Sequence, residues 1–129
     1  MYKILVIEDD KFLEKLCARK LEDAGFAVLI ANDGEEGLKK IKEEKPDLIL
    51  LDIVLPGIDG FEVLRQLKKD MVTALIPVIF LTNLGQEDEI KEGMALGADD
   101  YLVKAHFTTG EVVKKVEQLI STRKISRNL

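Results

Sequence analysis

The sequence predicts one α/β domain built on a doubly wound, five-stranded parallel sheet. Three observations carry that reading. Five short apolar runs alternate with five segments of helical periodicity, as repeated strand-helix units require. Two of the runs, Leu48-Ile49-Leu50-Leu51 and Val78-Ile79-Phe80-Leu81, are wholly apolar, as central strands covered on both faces must be. Four runs end on residues with chemistry to offer: Glu8 and Asp9 after Ile7, Asp52 after Leu51, Thr82 after Leu81, Lys104 after Val103. A parallel sheet gathers strand ends of this kind along one edge.

In chain order, the first strand is expected over about Lys3 to Ile7, and the first helix over about Lys11 to Ala24. Leu13, Leu16, Cys17, Leu21 and Ala24 make the apolar face of that helix, and Gly25 stops it. Strand two spans about Phe26 to Ala31. Asn32-Asp33-Gly34 offers turn and N-cap residues for helix two, about Glu35 to Glu44, which Pro46 ends. Strand three is Leu48 to Leu51. Pro56-Gly57 marks a loop before helix three, about Gly60 to Lys69. Strand four is Val78 to Leu81. Helix four, about Glu87 to Leu96, contains Gly93, which lowers its helix propensity and is expected to loosen it. Strand five is Tyr101 to Val103. Thr108 and Glu111 have capping-box spacing at the start of helix five, which is expected to reach about Ile120. Residues 1–120 then form the domain. Residues 121–129 form a frayed tail in which Arg123, Lys124 and Arg127 continue the last turn. Right-handed crossovers leave few topologies, and the expected strand order is 2-1-3-4-5, which makes strands one and three neighbours and brings Glu8, Asp9 and Asp52 together.

The bulk numbers exclude several classes. The chain has 129 residues, 47% hydrophobic and 33% charged, enough for one domain with a real core and unlike a disordered segment. A net charge of −5 argues against general binding to nucleic-acid phosphates. No apolar run approaches the ~20 residues of a membrane span. Met1-Tyr2-Lys3-Ile4 leads straight into a strand, so no signal peptide is expected. A single cysteine, Cys17, allows no internal disulfide and fits a reducing compartment, so the cytoplasm is the expected location.

These residues resemble the receiver domain of response regulators, the phosphoacceptor half of two-component signalling, over essentially the whole chain. Asp9, Asp52, Thr82 and Lys104 each fall at a strand end, in that family's order and at its intervals. The flanking stretches match as well: Ile4-Leu5-Val6-Ile7-Glu8-Asp9, Asp47-Leu48-Ile49-Leu50-Leu51-Asp52, Pro56-Gly57-Ile58-Asp59-Gly60 and Gly97-Ala98-Asp99-Asp100-Tyr101. The resemblance implies a flavodoxin-like fold. It implies Asp52 as the carboxylate that takes a phosphoryl group from a sensor histidine kinase, a phosphotransfer protein or a small acyl phosphate. It implies Mg²⁺ held by Asp9, Asp52 and the backbone carbonyl of Val54, with Glu8 acting through water. Lys104 pairs with Asp52 at rest and with the phosphoryl oxygens afterwards. Thr82 donates its hydroxyl to a phosphoryl oxygen, Tyr101 turns inward behind it, and the face of helix four, strand five and helix five changes for a downstream protein. No enzymatic activity is implied beyond phosphoryl transfer to the protein itself and its reversal. A monomer or weak dimer is expected.

Some positions depart from the family. Ala105 follows the lysine where most receivers carry a cis proline. Asn83 stands where a small residue is common and narrows donor access. Val54 and Leu84 replace polar groups that guide attacking water, so a long-lived phosphoryl group is expected. Other residues have plain structural readings: Asp10 as an N-cap, Cys17 as core filling, His106 as an exposed loop residue, and the Lys-rich stretches from Lys39 to Lys45 and from Lys114 to Lys124 as solvated faces. Among competing functions, an aspartate-nucleophile phosphatase would carry a second acid where Val54 stands. A flavin module would cradle phosphate where Glu8-Asp9-Asp10 would repel it. An interaction module that is never phosphorylated is disfavoured by intact Asp52, Thr82 and Lys104. Whether the chain is a stand-alone receiver or the front of a longer regulator is left open by its residues.

Overall fold

Five apolar runs become five parallel strands: β1 (Lys3–Ile7), β2 (Ala27–Ala31), β3 (Leu48–Asp52), β4 (Val78–Thr82) and β5 (Asp100–Val103). Helices α1 (Lys11–Asp23), α2 (Gly34–Glu44), α3 (Gly60–Lys69), α4 (Glu87–Ala95) and α5 (Glu111–Asn128) follow them in turn. The structure, a computed structural model, describes residues 1–83, 86–105 and 110–128, with side chains as far as Thr122. The readings of Leu84, His106 and the Thr108 cap fall outside those residues. The sheet has the order β2-β1-β3-β4-β5, all parallel, as the sequence predicts.

Side chains alternate across a strand, so each strand feeds two cores. Leu5, Ile7, Ile49, Leu51, Val78 and Phe80 point to one face, where Ile41 of α2 and Leu64 and Leu67 of α3 cover them. Ile4, Val6, Leu48, Leu50, Ile79 and Leu81 point to the other, beneath Cys17 and Leu21 of α1 and Val112 and Val116 of α5. Every residue of β3 and β4 is buried, which places the two all-apolar runs in the middle of the sheet. Cys17 is wholly buried, and burial pushes its thiol up to about 12, so it stays protonated and serves as core.

Element ends differ from expectation for local reasons. Ala24 is the C-cap of α1 rather than its last turn, and Gly25 follows at φ 97°. Phe26 is not yet strand, because its N–H closes onto Leu21 O at 3.1 Å. Helix α2 opens on Gly34, one residue early, since the Asp33 side chain accepts from Glu36 N. Asp100 joins β5 opposite Ile79, and α4 ends at Ala95. A short 3-10 turn, Thr73–Leu75, precedes β4 and has no periodic signal in sequence. The last helix does not stop near Ile120. No glycine or proline lies between Glu111 and Asn128, so nothing in that stretch breaks it.

Gly93 has a packing reason rather than a loosening one. A Cβ built there would lie 2.5 Å from Phe80 Cδ2, and Phe80 is locked in the core edge-on to Phe61 at 5.6 Å between ring centroids. Gly93→Ala is therefore expected to push α4 off the sheet and to destabilise the domain by about 1–3 kcal/mol in urea denaturation. An unchanged or raised midpoint, as removal of a flexible helix glycine would give, would refute this account.

Candidate functional site

The strand register brings the chemistry together. Ile7 pairs with Leu51, Asp52 with Leu81 and Thr82 with Val103, so Glu8, Asp52, Thr82 and Lys104 all leave the sheet at its C-terminal edge. The connection after β3 is held tightly. Gly60 N donates to Ile53 O at 2.8 Å, and a Cβ at Gly60 would stand 2.3 Å from the backbone oxygen of Asp52. Only glycine lets α3 start against the back of that aspartate. Asp59 caps the helix by accepting from Glu62 N at 2.9 Å, and Val54 N donates to Asp52 Oδ1 at 3.2 Å.

One cation serves two buried acids. Lys104 Nζ lies 2.7 Å from Asp52 Oδ2 and 2.9 Å from Glu8 Oε1, while Asp52 is 2% exposed and Glu8 fully buried. The contact to Glu8 is an ion pair outside hydrogen-bond geometry, which leaves Oε1 buried without a hydrogen-bond partner among the described residues. Glu8 Oε2 accepts from Asp10 N at 3.2 Å. Burial, then the neighbouring Asp52 carboxylate, hold the Glu8 carboxyl above its ordinary 4.5, against the pull of Lys104. Asp9 is exposed yet also raised, by desolvation first and by Glu8 second. Burial opposes the charge on Lys104, but its hydrogen bond to Asp52 and its ion pair with Glu8 outweigh this and hold it above 10.5. Carboxylate oxygens of Glu8, Asp9 and Asp52 lie within 4.8 Å of one another.

The remaining positions take a resting arrangement. Thr82 is 2% exposed and its hydroxyl donates to Asn83 O at 3.2 Å rather than toward Asp52. Tyr101 faces outward, with Lys115 Nζ 5.4 Å from its ring centroid, and Lys115 also reaches Asp100 Oδ2 at 3.1 Å. Asn83 and Ala105 are exposed, and the Lys104–Ala105 peptide is trans. Val54 is 66% exposed beside the site. Asp10 caps α1 through Phe12 N and Leu13 N, the plain structural reading.

Two residues went unmarked in sequence as site residues. Asn32, just past β2, donates its side-chain amide to Glu8 O at 3.1 Å and to Glu14 Oε2. Glu14 lies on α1 and is 6% exposed, with burial holding its carboxyl above 4.5. The available signal was topological: β2 runs parallel beside β1, so the residue that leaves β2 must stand next to the one that leaves β1.

Acids and a lysine thus converge at the C-terminal edge of a parallel α/β sheet, beside the switch point of its strand order, where such sheets bind ligands. A family model described as the response regulator receiver domain matches residues 4–117, and the chain belongs to that family, whose general role is to accept a phosphoryl group from a histidine kinase. It is 41% identical over 124 residues to the alkaline phosphatase synthesis transcriptional regulatory protein PhoP of Bacillus subtilis, covering 96% of this chain and 50% of the relative. It is 43% identical over 120 residues to the DNA-binding dual master transcriptional regulator RpaA of Synechocystis, covering 93% of this chain and 49% of the relative. The chain thus spans about half the length of the curated relatives it matches. Among solved structures, a response regulator from Chloroflexus aurantiacus superposes with a TM-score of 0.89 at 32% identity, over 93% of this chain and 98% of that one. The Mn²⁺-bound form of response regulator Rcp1 superposes with a TM-score of 0.77 at 29% identity, over 88% of this chain and 92% of that one. No helix among the described residues is long and apolar enough to cross a membrane.

Proposed function

We propose that this chain accepts a phosphoryl group on Asp52 from a sensor histidine kinase or a phosphotransfer protein in the cytoplasm. The observation that carries the reading is the buried Asp52 carboxylate, 2.7 Å from Lys104 Nζ, on an edge shared with Glu8 and Asp9. The donor set fits a hard divalent cation. Three carboxylates converge, Lys104 pairs with two of them, and buried Glu8 Oε1 lacks a hydrogen-bond partner among the described residues. Asp9, Asp52 and the Val54 carbonyl would hold Mg²⁺, with Glu8 acting through water. The bound ion would offset the carboxylate charge and the charge of the phosphoryl oxygens. The Mn²⁺-bound form of a structural relative supports this class of metal.

In this reading an Asp52 oxygen forms the new bond to phosphorus as the donor's bond to its imidazole nitrogen breaks. Lys104 shifts its hydrogen bond to the phosphoryl oxygens. Thr82 turns its hydroxyl from Asn83 O to the same group, and Tyr101 leaves Lys115 to fill the space behind it. Phosphorylation adds about −1.5 to −2 charge, enough to bias such a two-state surface. The face of α4, β5 and α5 then presents a new shape to a downstream protein rather than directly to nucleic acid. The chain turns over no other substrate and is a monomer or weak dimer, with residues 1–120 as the receiver and 121–129 as a tail beyond it.

Intact mass after incubation with acetyl phosphate tests this. One phosphoryl group should add in the presence of Mg²⁺ and none in its absence. The adduct should persist for minutes, because exposed Val54 offers no polar side chain to guide water. Failure to label with Mg²⁺ present would favour an interaction module that is never phosphorylated, and loss within seconds would contradict the role given to Val54.

A further inference from the structure

We infer that Asn32 and Glu14 form a positioning pair that sets the affinity of the site for its divalent cation, by fixing the turn that carries Glu8 and Asp9. The inference rests on the receiver reading and deepens it. The acidic turn between β1 and α1 leaves the sheet at Ile7 and has to hold two repelling carboxylates in register with Asp52. Its backbone is gripped from the neighbouring strand exit on both polar groups of Glu8. Glu8 N donates to Ala31 O at 3.0 Å, and Glu8 O accepts from Asn32 Nδ2 at 3.1 Å.

Asn32 is itself held on every side that matters. A primary amide has two side-chain N–H donors, and here one goes to Glu8 O and the other to Glu14 Oε2. The Asn32 backbone N–H donates to Glu36 Oε2 at 3.2 Å, and Glu36 Oε1 pairs with Lys40 at 3.3 Å. The amide plane therefore has a single satisfied orientation, and Glu14 chooses it. Glu14 is 6% exposed, and burying a carboxylate is unfavourable unless it accepts hydrogen bonds. Its placement is explained by what it orients: it touches Asn32, and Asn32 touches the backbone of a carboxylate facing Asp52. Groups in such an outer layer typically change metal affinity about 10–100-fold when removed.

The test is calorimetric titration of the purified chain with Mg²⁺, with Mn²⁺ as a second probe. Asn32→Ala should weaken binding about 10-fold or more. Glu14→Gln retains an acceptor for the Asn32 amide while losing the charge, and should bind within about twofold of wild type. Glu14→Ala, which frees the amide to rotate, should fall between the two. Amide exchange of Asp9 and Asp10 in the metal-free protein should rise in the two alanine variants alone. If Asn32→Ala fails to fold, Glu14→Ala against Glu14→Gln carries the same comparison. Alanine variants that bind Mg²⁺ as wild type does, with only a lower unfolding midpoint, would overturn the pair and leave it as a tie between α1 and the sheet. A wild-type chain that binds neither cation would instead overturn the receiver reading beneath it.

Discussion

Asp52→Asn is expected to carry no phosphoryl group under conditions that label the wild-type chain completely. Asparagine keeps the size of the side chain and an oxygen able to accept from Val54 N, so the connection into α3 stays in place. It has no anionic oxygen to attack phosphorus, and the loss should be total rather than graded. The substitution also isolates the electrostatics of the site. Lys104 then has one anionic partner at full strength instead of two, and Glu8 loses the neighbouring carboxylate that follows burial in holding its carboxyl high. Glu8 should accordingly titrate nearer 4.5 in the variant, by carboxyl-carbon NMR. A carboxyl raised in the folded state binds its proton more readily there than in the unfolded chain. Wild-type stability therefore declines as pH rises from 4.5 through the raised value, and the decline is shallower once Asp52 is neutral. Labelling of the variant at another carboxylate would reassign the acceptor. An unshifted Glu8 would show that desolvation alone sets its titration.

How much of this was legible depended on whether a feature is local. The apolar runs of β3 and β4 could be read because burial on both faces removes polar residues from their middles, and Asp52 and Thr82 stood out where those runs end. The order of strands followed from handedness and from short connections. What failed to show was set by contacts distant in sequence. Gly93 reads as a weak point in a helix until Phe80 is seen beneath it, and nothing near position 93 announces that ring. The Thr73–Leu75 turn is held by Thr73 Oγ1 donating to Leu67 O at 2.7 Å, a bond with no periodic trace. The outward Tyr101 of β5 meets Lys115, which α5 brings over its ring. Asn32 reads as a turn residue, which it is; its second occupation appears only when β2 and β1 lie side by side. The C-terminal end of α5 differs from the rest: no glycine or proline marks a stop near Ile120, and the helix runs on to Asn128.

Lys104→Ala should produce the largest change in stability of any single substitution at the site. It removes the ammonium from between a fully buried Glu8 and a nearly buried Asp52, leaving two carboxylates facing each other without the lysine. Breaking a buried pair from one side typically costs about 3–5 kcal/mol, and the lower end applies because the Lys104 side chain keeps 16% of its exposure. The pH dependence distinguishes this from a simple packing loss. In wild type, the Lys104 pKa lies above 10.5 in the folded state, so its stabilisation is complete below 10.5 and is lost as pH climbs through the raised value. The variant should lack that alkaline loss. It should instead regain stability as pH falls from 7, because a proton on Glu8 relieves the repulsion that the ammonium no longer offsets. Millimolar Mg²⁺ should restore the variant more than it stabilises wild type, since the cation replaces the missing positive charge between the same oxygens. Urea denaturation at pH 5, 7 and 10, with and without Mg²⁺, reads all three effects. A deficit of equal size at every pH and unaffected by the metal would mean that Lys104 contributes through its hydrocarbon stem rather than its charge, and that the two acids are not held in conflict.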